Sequence, residues 1–119
     1  MPGRLPRLTR RAEFLRAAAR GRKAARPGLV LQALPQPAGK PLRLGFTATR
    51  KIGSAVVRNR AKRRLREAAR LTLGPAAPAG WDIVLIAREG TATRPFPALL
   101  GDLRGALRQA GVTLPEDPR

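Results

Sequence analysis

The chain has no His and no Cys. The usual general bases, nucleophiles and thiolate metal ligands are therefore missing. The acids are Glu13, Glu67, Asp82, Glu89, Asp102, Glu116 and Asp117, and only the last two are adjacent, in a Pro-flanked tail. A nuclease working through two metal ions needs several carboxylates at one point, and this spacing gives no sign of them. What the residue types can do is bind. Lys and Arg total 25 against seven acids, for a formal net charge of +18. A field of that size opposes compaction unless a polyanion is near. Nucleic acid is the default partner of a small, strongly basic domain.

The densest basic stretch is "VVRNRAKRRLREAAR", Val56 to Arg70. Placed on a helix with Val57 at 0°, Ala61, Leu65, Ala68 and Thr72 fall between about 20° and 80°. Asn59, Lys62, Arg63, Arg66 and Arg70 fall between about 140° and 240°. Arg58 flanks the apolar stripe on one side, and Arg60 and Arg64 flank it on the other. This phasing argues against a disordered arm. Solvated helix faces usually mix charges at i, i+4, because opposite pairs add a few tenths of a kcal/mol and like pairs cost about as much. Here Arg58, Lys62, Arg66 and Arg70 form a like-charge ladder, offset only by Glu67 four residues after Arg63. Helix stability is given up, and a polyanion partner is the reading that accounts for it.

The elements that must carry this helix are legible around it. A length of 119 residues with 43% hydrophobic residues fits one domain, 1–119, with one core over about 5–111 and termini expected to fray. "TRRAEFLRAAARG" reads as a helix with Thr9 as N-cap, Phe14 and Ala18 on one face, and Gly21 as its stop. "GLVLQAL" (28–34) and "LRLGFTAT" (42–49) read as strands, the second alternating about Leu42, Leu44, Phe46 and Ala48. Ser54 is placed to cap the basic helix, and Gly74–Pro75 to end it near Leu73. "WDIVLIA" (81–87) is a continuous run of β-formers suited to a sheet centre. Residues 96–110 repeat apolar positions at helical spacing, and Gly111 ends them. The expected fold is an α/β (α+β) two-layer sandwich. A central sheet of three to four strands packs with helices in the order α-β-β-(β)-α-β-α. No apolar run approaches the ~18 residues of a membrane span. No apolar h-region follows the basic start, so no signal peptide is expected and a cytoplasmic location is.

"RKIGSAVVRNRAKRRLRE" resembles the signature of the bacterial ribonuclease P protein subunit, Arg-Asn-Arg followed by x-Lys-Arg and a further basic turn. Here these are Arg58, Asn59, Arg60, Lys62, Arg63 and Arg66. "LTRRAEFLRAAARG" resembles the family's first helix with its aromatic, "LRLGFTATRKIGSAVVRNR" the strand leading into the signature helix, and "WDIVLIAREG" the strand after it. The resemblance implies a mixed sheet with a left-handed βαβ crossover, rare against the right-handed norm. It implies that the signature helix, with Arg50 and Lys51 before it and Arg70 at its end, contacts the catalytic RNA. It implies that Phe14, with Arg10, Arg11 and Leu31, lines a cleft for the 5′ leader of precursor tRNA. The family commonly has further aromatics where this chain has Ala18 and Leu31, so the resemblance implies weaker stacking and more reliance on charge. It further implies one monomeric protein per RNA, phosphodiester hydrolysis to release the leader, and Mg²⁺ held mainly by the RNA, which carries the chemistry. A ribosomal-type RNA-binding protein or a DNA-binding architectural protein would share the charge, and only the ordered motif speaks against them. A stand-alone nuclease is disfavoured by the residues that are missing.

Overall fold

The structure is a computed structural model that describes residues 5–114. The tail acids Glu116 and Asp117 lie outside these residues. The elements are α1 (Arg11–Arg20), β1 (Arg22–Arg26), β2 (Leu29–Pro35), β3 (Arg43–Thr47), α2 (Ala55–Leu73), β4 (Trp81–Ala87) and α3 (Phe96–Gln109), with short 3₁₀ turns at Arg50–Ile52 and Gly74–Ala76. The strand order is β1-β2-β4-β3. β1/β2 and β2/β4 are antiparallel, and β3/β4 is parallel, joined through α2. Residues 6–8 run along the outer side of β3, where the Leu8 amide donates to the Leu44 carbonyl at 2.8 Å and the Leu44 amide to the Pro6 carbonyl at 2.9 Å.

The alternation of side chains divides the sheet into two faces. Leu29, Leu31 and Ala33 of β2, Leu44 of β3, and Ile83, Leu85 and Ala87 of β4 point to one side. There they meet Ala61, Leu65, Ala68 and Ala69 of α2 and Leu99, Leu103, Ala106 and Leu107 of α3 in the main core. This is the expected sandwich of sheet on helices. The other face packs Val84 and Ile86 against Leu8, Phe14 and Ala17. Its cover is α1 and the chain before it.

Several local expectations hold. The Ser54 hydroxyl caps α2, accepting from the Val57 amide at 3.3 Å. α2 ends at Leu73, followed by Gly74 at φ +56°, and β4 spans the predicted 81–87. The N-cap of α1 is Arg10 rather than Thr9. The reason is Glu13, whose Oε1 accepts from both the Thr9 and Arg10 amides at 3.1 and 3.0 Å. A carboxylate in the first turn thus does the capping that a Thr9 hydroxyl was expected to do. β1 has no counterpart in the sequence reading, which places its optional strand just before the basic helix; the fourth strand stands instead directly after α1. "RKAAR" has no β-branched or aromatic residue, and its extended form comes from pairing with β2 across the Pro27–Gly28 turn.

Candidate nucleic-acid interface

α2 positions the cationic face as its phasing predicts. Ala61, Leu65, Ala68, Ala69, Thr72 and Leu73 are buried, while Asn59, Arg60, Arg63, Arg66 and Arg70 are exposed and Lys62 is half-buried. Arg50 and Lys51 are exposed in the 3₁₀ turn that leads to the helix. That turn closes on Gly53 at φ +141°, where a Cβ would sit 3.1 Å from the Val57 side chain, so the chain needs glycine there.

The arginines of this helix divide by what they touch. The Arg58 Nη1 donates to the Gly53 carbonyl at 3.0 Å and braces the loop. Arg64 reaches off the face to the β4–α3 loop. Its Nη1 donates to the Thr91 carbonyl at 2.6 Å and its Nη2 to the Arg94 carbonyl. Its guanidinium also lies 5.8 Å from the centre of the Phe96 ring. Partial burial, and then the neighbouring Arg60, push its pKa down. Glu67 does not meet Arg63, its partner at i−4. It pairs with Arg70 through two hydrogen bonds of 3.0 and 2.5 Å. These bonds hold the Glu67 carboxyl below its ordinary value and raise Arg70. Asn59, Arg60, Arg63 and Arg66 have no hydrogen bond or ion pair to the described residues.

The second region is the sheet face beneath α1. Cross-strand registers set out its rows. Leu34, Asp82 and Arg43 form one, Lys23, Gln32, Val84 and Gly45 the next, and Ala25, Val30, Ile86 and Thr47 the third. α1 covers the first two. Phe14 lies on Gly45 so closely that a Cβ there would come within 2.5 Å of its ring. The third row is a floor with half-buried Val30, Ile86 and Thr47, and Arg50 and Lys51 follow on from the β3 end. Phe14 is half-buried at the back of this floor, and Arg10 and Arg11 are exposed at the start of α1.

Leu31 is not in this cleft. It is fully buried in the main core, on the opposite face of the sheet. The residues of β2 that face the cleft are Val30 and Gln32. The sequence does carry a signal for this. Gln32 is the one polar residue of "GLVLQAL" and marks the parity of the solvent-facing side, which Val30 shares and Leu31 does not.

One arginine ties this region together. Arg43 donates from Nε and Nη2 to the two oxygens of Asp82 at 3.0 and 2.8 Å, and from Nη1 to Glu13 at 2.7 Å. It therefore links β3, β4 and the first turn of α1. The bonds to Asp82, and then those to Glu13, raise the Arg43 pKa against its partial burial. Glu13 is held at about 2, first by the Arg10 and Thr9 amides and then by Arg43. Among the described residues, no group of three or more acidic side chains is placed to hold a metal ion.

The family model for ribonuclease P matches residues 3–111. Over 112 residues the chain is 57% identical to the ribonuclease P protein component of Gluconacetobacter diazotrophicus, covering 94% of this chain and 97% of that one. It is 50% identical over 116 residues to the same component from Paramagnetospirillum magneticum, covering 94% and 87%. The Staphylococcus aureus RNase P protein superposes with a TM-score of 0.77 at 27% identity, covering 92% of this chain and 98% of that one. The Thermotoga maritima protein superposes at 0.70 with 30% identity, covering 83% and 92%. The match spans both regions described above, the ladder of α2 and the cleft under α1, and the chain belongs to the bacterial ribonuclease P protein family.

Proposed function

We propose that the chain is the protein subunit of ribonuclease P, binding the catalytic RNA through α2 and the 5′ leader of precursor tRNA across the sheet floor beside Phe14. It assists the endonucleolytic removal of that leader, which leaves the mature tRNA 5′ end. The observation that carries this reading is the free face of α2. Arg60, Arg63 and Arg66 stand exposed and unpaired among the described residues, while Glu13, Glu67, Asp82 and Asp102 are each ion-paired to an arginine. Arg forks fit phosphate oxygens. One such protein per RNA reduces the repulsion between two polyanions and so lowers the Mg²⁺ that the RNA needs to fold and cleave. Mg²⁺ is held by the RNA, which carries the chemistry. Work of this kind belongs in the cytoplasm, and no described helix is long and apolar enough to cross a membrane.

The test is reconstitution. Purified protein is added to a bacterial ribonuclease P RNA and precursor tRNA at low Mg²⁺, and leader release is followed on a gel. Release that requires both components is expected. Cleavage by the protein alone, or no effect of adding it, rejects the proposal. If about six phosphates are neutralised, RNA affinity should fall by roughly three decades between 50 and 200 mM salt.

A further inference from the structure

The free face of α2 is not uniformly cationic. At its N-terminal end stands Val56, 77% exposed, the most exposed of the large apolar side chains among the described residues. Nothing in the fold accounts for it. The capping bond goes to the Val57 amide, and it is Val57 that packs against Gly53. On a 100° step, Val56 lies at about 260°, between Asn59 at about 200° and Arg60 at about 300°, with Arg63 at about 240° one turn further on. Asn59 and Arg60 follow Val56 at i+3 and i+4, a spacing that sets Cβ atoms about 5–6 Å apart. Asn59 is exposed, and its amide has no partner among the described residues.

A valine and an uncharged amide are thus flanked by two free arginines. The nearest acid on the helix, Glu67, is more than two turns beyond Asn59 and held by Arg70. Phosphates would be served better by charge at both positions. A protein partner would have to bring acids to Arg60 and Arg63 and an apolar contact for one side chain between them. A nucleotide supplies both features at once. Its base offers a flat apolar face and a hydrogen-bonding edge, and its flanking phosphates are anionic.

We propose that Val56 and Asn59 together hold one unstacked nucleobase of the RNA partner, with the base face on the Val56 isopropyl group and the base edge on the Asn59 amide. Arg60 and Arg63 hold the adjoining phosphates. In an A-form duplex the base faces are stacked inside and the major-groove edges are out of reach. The RNA at this point is therefore a loop, a bulge or a single strand. This inference rests on the RNA-binding role proposed above and adds to it the kind of RNA and the residue that reads it.

The test uses the full chain and a bacterial ribonuclease P RNA, with binding measured over a salt series and the RNA probed with dimethyl sulfate in the complex. Val56→Ala cannot act by unfolding, since Ala is the better helix former and the site is exposed. Losing the contact of two methyl groups is expected to weaken binding by about 5- to 10-fold with the salt slope unchanged. Arg63→Ala should instead lower the slope by about 1. One unpaired base protected by the wild-type protein should regain reactivity with Val56→Ala and with Asn59→Ala. The double variant should lose little more than either single one, because one base serves both residues. If wild type binds the RNA and promotes leader release while Val56→Ala matches it in affinity and protection, the nucleobase site is refuted and the RNA-binding role stands. A Val56→Ala variant that alters only self-association in sedimentation also refutes it. If wild type neither binds the RNA nor promotes release, the underlying role fails first.

Discussion

Arg43 and Arg63 are the same residue type in two regions of one small basic protein, and they face opposite circumstances. Arg43 sits at the corner of α1, β3 and β4 with every arm of its guanidinium bonded to Asp82 or Glu13. Arg63 sits in the middle of α2 with none bonded to a described residue. Glu13 and Asp82 are spent on Arg43, Asp102 on Arg94 and Glu67 on Arg70. Three of these acids neutralise cations in the packed body of the fold, the fourth pairs within the C-terminal part of α2, and the middle of α2 is left uncompensated. The net charge gives no hint of this division, since it counts a structural guanidinium and a free one alike. Arg64 makes the same point within one helix. It lies one residue from Arg63, yet the helical step carries it to the β4–α3 loop and two backbone carbonyls.

The sharpest way to break this contrast is to remove one arginine from each region. Arg43→Ala strands the Asp82 carboxylate, whose side chain is only 2% exposed. The expected loss is about 3–5 kcal/mol, a large part of the stability of a domain this size. Arg63→Ala should change stability by less than ~0.5 kcal/mol. Urea unfolding of both variants decides it, and equal losses would dissolve the distinction. Next in size is Arg64→Lys, which keeps the charge but loses the fork across the Thr91 and Arg94 carbonyls. We expect it to cost about 1–3 kcal/mol in the same experiment, with Arg66→Lys near zero.

Binding should show the reverse order. Arg63→Ala and Arg66→Ala should each lower the slope of log affinity against log salt by about 1, with affinity for different RNA sequences falling together. A slope unmoved by both would place the RNA elsewhere. The smallest effect is expected from pH. Glu13 is held at about 2, below its ordinary value of 4.5. A carboxyl whose pKa is lower in the folded state contributes stability that is complete above the ordinary value and is lost as pH falls toward the folded one. Wild type should therefore lose stability between about pH 4.5 and 2, and Glu13→Gln should lose less over that window. Parallel pH curves for the two proteins would show that the amide and Arg43 bonds to Glu13 do not act on stability.

Most of the α2 surface is legible in the sequence. Helical period and residue charge are local properties, so the buried stripe of Ala61, Leu65 and Ala68 and the exposed Asn59, Arg63 and Arg66 follow from spacing alone. Ser54, Gly74 and the run 81–87 are equally local, because a cap, a stop and a β-rich segment act within a few residues. The cleft was less legible. The resemblance puts Leu31 in it, and the sheet places Leu31 on the other face, a difference of one residue in parity that Gln32 marks. β1 escaped the pattern because "RKAAR" is a strand only by virtue of β2 beside it.

The charge, the helical phase of α2, the absence of His and Cys, and the order of the signature residues all follow from local information. These need only composition and the 100° step of a helix. Which arginines are free follows only from the packed fold. That depends on which backbone carbonyls and carboxylates come within 3 Å of a long flexible side chain, as Gly53 does for Arg58 and Asp82 does for Arg43. The Arg43–Asp82 pairing joins residues 39 positions apart, and the contact exists only because β3 and β4 lie parallel and in register. The fold also left Val56 in solvent beside an unpartnered Asn59. Phase alone puts Val56 on the outer face of α2, but only the packing around the loop shows that none of the described residues covers it.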